Sequence, residues 1–426
     1  SSAAVNYGGS ANFTAAVQSI EPTMSYQWYF GSIPLLDGLQ ADGSMVNGAS
    51  GTVSDHTVST TLSLSNVTFG ENGNYSLWVT NNFNNAVQSS AAVLAVNATA
   101  PIIISQLPLA HTNQLNLLVG ASPTFSITAD GATPIYYQWF SNNVTINGAT
   151  NSSFTLTDAQ PGNSGAYYCL ASNFVGGTFS STNNVSVLTT AAPYPQSVMA
   201  LNPADYWRLN EGPDDGNGNQ YATCFDYAGC HNGLYTNVYL AEPGYNAITD
   251  PSETSAQFGW AYYSPNSYVG QMSGIDFSMP LGGNAAFTVE AWENGYPESA
   301  DAAIVSKENY GNGGEQFVLD VHSGVYRFFV RDASGTAHAV SSAVSPDNTW
   351  HHLAGVCDEA NGVVALYVDG QLAGSGFITP GSGIFGATNL TIGSRMSGVD
   401  TAYNDQLHGN VNDVAVYSSA LSASQI

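Results

Sequence analysis

Between Asn348 and Gly370 the sequence reads NTWHHLAGVCDEANGVVALYVDG, and its period of two leaves little choice of secondary structure. Leu353, Gly355 and Cys357 alternate with His352, Ala354 and Val356, and Val364, Leu366 and Val368 repeat the pattern. Side chains of a strand point alternately to opposite faces, so this spacing sets one apolar row against a core. Asp358–Gly362 (DEANG) supplies a polar, glycine-ended turn, and Asp369-Gly370 is a two-residue hairpin signal. The stretch is expected to form neighbouring antiparallel strands.

The rest of the chain is compatible with that pattern throughout. Forty-four glycines, 24 tyrosines and abundant Ser, Thr and Asn point to all-β structure with many turns. The 426 residues amount to two to four domains, and a 43% hydrophobic content is enough for packed cores. No apolar run approaches the roughly 18 residues of a membrane span. The chain begins at Ser1 without a signal-peptide stretch, so a processed chain or a fragment is expected.

Charge excludes one class of partner. There are 31 acidic residues against five basic ones, Arg208, Lys307, Arg327, Arg331 and Arg395, all after residue 200. Nucleic acid needs a cationic face to neutralise phosphate, and an anionic membrane surface needs one too. The acidity suits a secreted surface kept apart by repulsion, with some carboxylates available to a cation.

The 348–370 stretch, with its flanks, resembles the laminin-G-like, concanavalin-A-like jelly-roll family. The blocks fall in order: YWRLNEG (Tyr206–Gly212), FTVEAW (Phe287–Trp292), IVSKEN (Ile304–Asn309), WHHLAGVCD, LTIGS (Leu390–Ser394) and LHGNVNDVAVYSSALSASQI to the end. The resemblance implies a jelly roll over 201–426, with LNPADYWRL as its first strand.

Two earlier segments repeat one another. YQWYF (Tyr26–Phe30) and YQWFSN (Tyr137–Asn142) each place a Trp on a strand, followed later by GNYSLW and GAYYCL. They resemble immunoglobulin-like sandwiches, with Trp28 and Trp139 as buried strand tryptophans and Tyr75 and Tyr167 as tyrosine corners. The family's inter-sheet disulfide positions fall on Ala15 with Leu77 and on Ile127 with Cys169, so apolar packing must replace the bond. The tryptophans are 111 residues apart and the tyrosines 92, which leaves 19 extra residues in the first domain. Asp37–His56 is their expected site, as a loop or an extra hairpin. The domains are therefore read as 1–97, 98–190 and 201–426. Residues 191–200 form the linker, with Ala191–Gln196 (AAPYPQ) stiff and extended.

Cys224 and Cys230 lie in one polar loop, CFDYAGC, and are expected to close a short ring in an oxidising compartment, the alternative being two free thiols. Cys169 and Cys357 fall on core strands, where cysteine acts as a small hydrophobe. Eight N-x-S/T sequons are about what so Asn-rich a sequence gives by chance, so they do not indicate glycosylation.

Catalysis finds little support. The glucanase signature Glu-x-Asp-x-x-Glu is absent, and Glu290 and Glu293, three apart, belong on opposite faces of a strand. His351-His352 reads as structural. The family resemblance implies a calcium ion where the first and last strands meet, with Glu211, Asp226 and Asp413 as candidate ligands, the alternative being solvated carboxylates and an Asx-turn. The candidate sugar site is the densest set of loop aromatics, Trp260, Tyr262 and Tyr263, the commoner alternative being aromatics buried in the loop.

The second sandwich has 19 residues from Pro101 to Gly120, room for a first strand (Ile102–Ile104) and its continuation (Leu115–Val119). The first sandwich has eight residues before Gly9, enough only for the continuation. Together these features predict an extracellular or cell-surface protein without catalysis. It is read as structural or adhesive, with self-association into a filament through β-strand contacts, or alternatively as a carbohydrate-binding module.

Overall fold

The computed structural model describes residues 1–20, 22–108, 113–259, 266–272, 275–309, 314–396 and 403–426. Strands dominate, arranged as two sandwiches followed by a larger double sheet.

In the first sandwich, Ala3–Asn6 runs parallel to Ala92–Asn97, which pairs with Gly73–Asn81 and through it with Met24–Phe30. The facing sheet pairs Ala11–Gln18 with Thr57–Ser65. Trp28, Phe13, Leu62, Tyr75 and Leu77 fill the space between the sheets. Residues 37–56 are neither a loose loop nor a single hairpin. Gly38–Leu39 and Met45–Asn47 extend one sheet, and Ser50–Val53 joins the other against Met24–Phe30. The crossing between sheets passes Gly48, whose φ of +82° suits glycine and where a Cβ would sit 2.3 Å from the Thr61 carbonyl oxygen.

The second sandwich repeats this plan and adds the strand the first lacks. Ile102–Leu107 pairs antiparallel with Thr124–Asp130, and Gln114–Leu118 runs parallel to Asn183–Leu188. The tyrosine corners form as expected: Tyr75 and Tyr167 donate to the carbonyls of Glu71 and Asn163, each at 2.8 Å. Leu77, Ile127 and Cys169 are buried among apolar neighbours, so packing does replace the missing disulfide.

The third unit has two eight-stranded sheets around one apolar cluster. At the centre of one sheet lies Ala286–Gly295, flanked by His351–Asp358 and Gly409–Tyr417. Gly409–Tyr417 also pairs with Asp205–Trp207. The hairpin pattern is realised, with Leu353 opposite Val368 and Cys357 opposite Val364. Asp369 and Gly370 both have positive φ, 51° and 72°, the combination a two-residue hairpin turn requires.

One expectation is corrected. Pro193–Ala200 is an α-helix, not an extended linker. Both prolines sit in its first turn, where backbone N–H groups lack intrahelical acceptors and a fixed φ near −65° is compatible with helix.

The tyrosine corner gives a test. Tyr167→Phe should lower stability by about 1–3 kcal/mol, because the Asn163 carbonyl loses its donor. A urea-melting midpoint equal to that of the parent chain would contradict this.

Candidate functional site

The helix Pro193–Ala200 is wedged where the second sandwich meets the double sheet. Val198 is buried in one cluster with Leu118 of the sandwich and with Tyr206, Tyr227, Ala228, Ala415, Tyr417 and Leu421 of the third unit. Met199 packs against this cluster and also against the core of the second sandwich. Two hydrogen bonds cross the junction, one between backbones and one from a side-chain amide. Leu118 N–H donates to the Tyr227 carbonyl at 2.8 Å, and Asn232 Nδ2 donates to the Gln114 carbonyl at 2.8 Å. The strand Gln114–Leu118 thus has a sheet partner on one edge and the 227–232 loop on the other.

Tyr194 carries the helix over the outer face of the sheet. Alternation along Ala286–Gly295 sends Phe287, Val289 and Ala291 into the core, which leaves Glu290 and Trp292 on the other face. Trp292 stacks on Tyr245 with centroids 4.4 Å apart and planes 12° off parallel. Tyr194 meets both rings edge-on, and His352 as well, at 5.4–5.9 Å. Glu290 Oε1 accepts from Tyr417 at 2.6 Å and from Tyr194 at 3.5 Å, and Glu290 Oε2 lies 3.4 Å from His352 Nε2. Burial, then the neighbouring Glu290 and Asp413 charges, push the Tyr194 hydroxyl well above its usual range, so it stays a donor.

Beside this cluster Arg208 contacts Glu253 at 2.6 Å and Asp413 at 3.5 Å, and Tyr206 donates to Asp413 at 2.5 Å. Asn412 Nδ2 bridges the Arg208 and Thr254 carbonyls. Burial, with the Glu253 charge, raises Asp413 above the usual carboxylate range, against the pull of Arg208.

The expected metal ligands are not brought together. Glu211 accepts from Phe225 N–H at 2.9 Å and Tyr235 OH at 2.5 Å. Asp226 accepts from the backbone N–H groups of Tyr206, Ala228, Gly229 and His231 at 2.9–3.1 Å, an Asx-type turn. Asp413 faces Arg208 and Tyr206. Ca²⁺ takes six to eight oxygen ligands, and here each carboxylate serves a different set of protein donors, one of them a cation. These residues do not fit a shared calcium ion.

Among the described residues, Asp205, Asp226 and His231 do cluster, with ligating atoms within 4.8 Å. His231 Nδ1 already lies 2.5 Å from Asp205 Oδ1, while Asp226 Oδ1 accepts from three backbone N–H groups and Oδ2 from one.

The ring between Cys224 and Cys230 is also corrected, since both thiols are free and buried. The loop turns about Asp226, sending Cys224 into the double-sheet core and Cys230 into the core of the second sandwich. Burial pushes both thiols well above their usual range. Trp260, Tyr262 and Tyr263 lie outside the described residues. Glu290 and Glu293 do face opposite ways: Glu293 accepts from the core tyrosine Tyr326 at 2.6 Å, and burial raises it to about 7. His351 contacts Asp369 at 2.8 Å, a hairpin brace. Sequence reasoning missed Tyr194, Tyr245 and Arg208; the only signal available was a tyrosine between two prolines in a supposed linker.

These buried acids set a pH dependence. Glu293, raised to about 7, Asp320, raised to about 6, and Asp413, also raised, bind protons more tightly folded than unfolded. Their stabilisation is therefore full below about pH 4 and lost as pH rises through the folded values. Asp42 and Asp332, lowered to about 2 chiefly by hydrogen bonds that outweigh burial, act oppositely and lose stability only in stronger acid. The melting temperature should peak near pH 4 and fall towards pH 8. Arg208→Met should cost roughly 3–5 kcal/mol at pH 8, by leaving Asp413 and Glu253 buried without their cation, and less at pH 5. A penalty independent of pH would contradict the assignment.

Comparison with known proteins agrees with this architecture. The immunoglobulin domain family matches residues 121–187, and the family described as the concanavalin A-like lectin/glucanases superfamily (Laminin_G_3) matches residues 270–426. A search of curated proteins finds no match. Among solved structures, the tandem Ig repeats of Dlar share 18% identity over 44% of this chain and 94% of theirs, with a TM-score of 0.20. Titin A168–169 gives 16% identity, 44% and 94% coverage and a TM-score of 0.30. The binding domain of Paraclostridial Mosquitocidal Protein 1 gives 16%, 53% and 50%, with a TM-score of 0.38. By these matches, residues 121–187 are similar to an immunoglobulin domain and residues 270–426 to a domain of the concanavalin A-like lectin/glucanases superfamily.

Proposed function

We propose that this chain is a non-enzymatic structural or adhesive protein of the extracellular space, in which the second immunoglobulin-like domain and the jelly roll act as one rigid body. The observation that carries the reading is the cluster joining Leu118, Val198, Tyr206 and Tyr417 across the two domains. Domains of one chain usually move relative to each other unless their interface is large and apolar. A load-bearing or presenting element gains from suppressing that motion. Both domain types are typical of extracellular proteins, and no helix of the described residues is long and apolar enough to cross a membrane. The opposed directions of Glu290 and Glu293 give no support to a glycosidase pair. Head-to-tail assembly into a filament through strand contacts is the finer form of this proposal.

A second reading, carbohydrate binding, draws on the stacked Tyr245–Trp292 pair beside Glu290 and His352. Tyr194 lies against the same rings, which weighs against an open sugar platform.

Micrographs of the purified chain, paired with affinity electrophoresis in polysaccharide gels, separate the two. Filaments or ordered oligomers with unretarded migration are expected. Dispersed monomers retarded by a polysaccharide would transfer the conclusion to the lectin-like reading.

A further inference from the structure

A cleft of about 330 Å³ in the first sandwich is walled by Phe30, Leu35, Val46, Leu64 and Tyr75, and Asp42 and Glu71 also line it. Leu36 and Leu39, next in sequence to lining residues, stand exposed. The cleft therefore combines an apolar wall with two carboxylates.

Those carboxylates are held side by side. Ser44 Oγ lies 2.8 Å from Asp42 Oδ1 and 2.7 Å from Glu71 Oε1, and Thr68 Oγ1 lies 2.8 Å from both Asp42 Oδ2 and Glu71 Oε2. A hydroxyl has one proton to give, so each of the two can serve only one of the oxygens it touches. Ser44 and Thr68 are buried behind the pair, whereas Asp42 is exposed and Glu71 half-buried. Like charges this close repel unless a cation lies near, and the first basic residue of the chain is Arg208.

The sandwich does not need this charge to close its corner. Tyr75 and Tyr167 make the same bond to the carbonyl four residues back, at Glu71 and Asn163. Where the first sandwich has Thr68 and Glu71, the second caps its turn with neutral groups, Gln160 N–H donating to Asn163 Oδ1 at 2.8 Å. Asp42 comes from the stretch that holds the extra residues of the first sandwich.

We infer that the cleft receives an arginine side chain presented by a different protein, with an apolar neighbour of that arginine lying on Leu35, Val46 and Leu64. Charge complementarity selects the head group. A guanidinium is planar, carries five N–H donors and is weakly hydrated, so it can donate to oxygens of both carboxylates while its stem covers apolar wall. The volume is at the low end of the roughly 300–1,000 Å³ of ligand sites, which suits a few side chains. A second copy of this chain is not the donor: Arg208, Arg327, Arg331 and Arg395 are each paired with carboxylates, and Lys307 is buried. The inference names a partner class for the adhesive reading above and rests on that reading for its use, but the binding itself does not require filaments.

The probe is N-acetyl-Leu-Arg-Leu-amide, titrated into the full chain and followed by the methyl resonances of Leu35, Val46 and Leu64. Saturable shifts at these methyls are expected, with affinity at least about tenfold lower when the arginine of the peptide is replaced by glutamine. A similar loss is expected in the Asp42→Asn, Glu71→Gln double variant, which keeps the hydrogen-bond acceptors, glutamine being equally able to close a capping box. If the double variant does not fold, the glutamine peptide on the parent chain decides. No shifts, shifts confined to other methyls, or equal affinity for the two peptides would overturn the inference. Binding of arginine amide as tight as that of the peptide would assign the cleft to a small cation and overturn it too. Filaments seen alongside any of these failures would leave the assembly reading standing and remove only this partner.

Discussion

The packing of Val198, Tyr194 and Met199 between two domains is the contact on which the arrangement of this molecule depends. A fully buried large apolar side chain contributes about 1.5–3 kcal/mol, so losing a few such contacts outweighs what a freely jointed linker gains in entropy. Because the helix touches the sandwich at Leu118 and the outer sheet face around Trp292 and Tyr417, it fixes both distance and rotation between the domains. The 227–232 loop adds hydrogen bonds that a mere apolar contact would lack, and these set the register of the junction.

Electrostatics impose a second constraint. With five basic residues among 31 acidic ones, cations are scarce, and the arginines are placed beside buried carboxylates. Arg208 serves Glu253 and Asp413, Arg327 serves Asp320 and Asp301, Arg331 serves Glu315, and Arg395 serves Glu308 and Asp405. The remaining interior acids rely on hydroxyl and N–H donors, as Glu293 does on Tyr326 and Asp226 on its turn. Burying an ion pair is rarely a source of net stability, but removing one partner is costly. Substituting one member of these pairs is therefore expected to cost more than the intact pair contributes.

Alternation was readable wherever one face of a strand is buried. The hairpin of Leu353 and Val368 and the inward row Phe287–Val289–Ala291 follow from spacing and turn chemistry, and both tyrosine corners from the resemblance to immunoglobulin-like sandwiches. The interdomain helix was not readable, because Pro193 and Pro195 look like an extended linker until tertiary packing supplies the buried face that an eight-residue helix needs. The Cys224–Cys230 ring failed for a related reason: proximity in sequence says nothing about which of two cores each side chain enters. Glu211, Asp226 and Asp413 looked like ligands because sequence shows carboxylates but not the donors they meet. Asp226 proved to organise a turn, and Asp413 to face an arginine.

The rigid junction is tested most directly by spin labels on exposed positions of the two domains, Thr150→Cys and Ser375→Cys, the native thiols being buried. Pulsed dipolar spectroscopy should return one narrow distance distribution, and Val198→Asp should broaden it by expelling the helix from its cluster. A broad distribution in the parent chain, unchanged by Val198→Asp, would contradict the claim that the second sandwich and the jelly roll move as one.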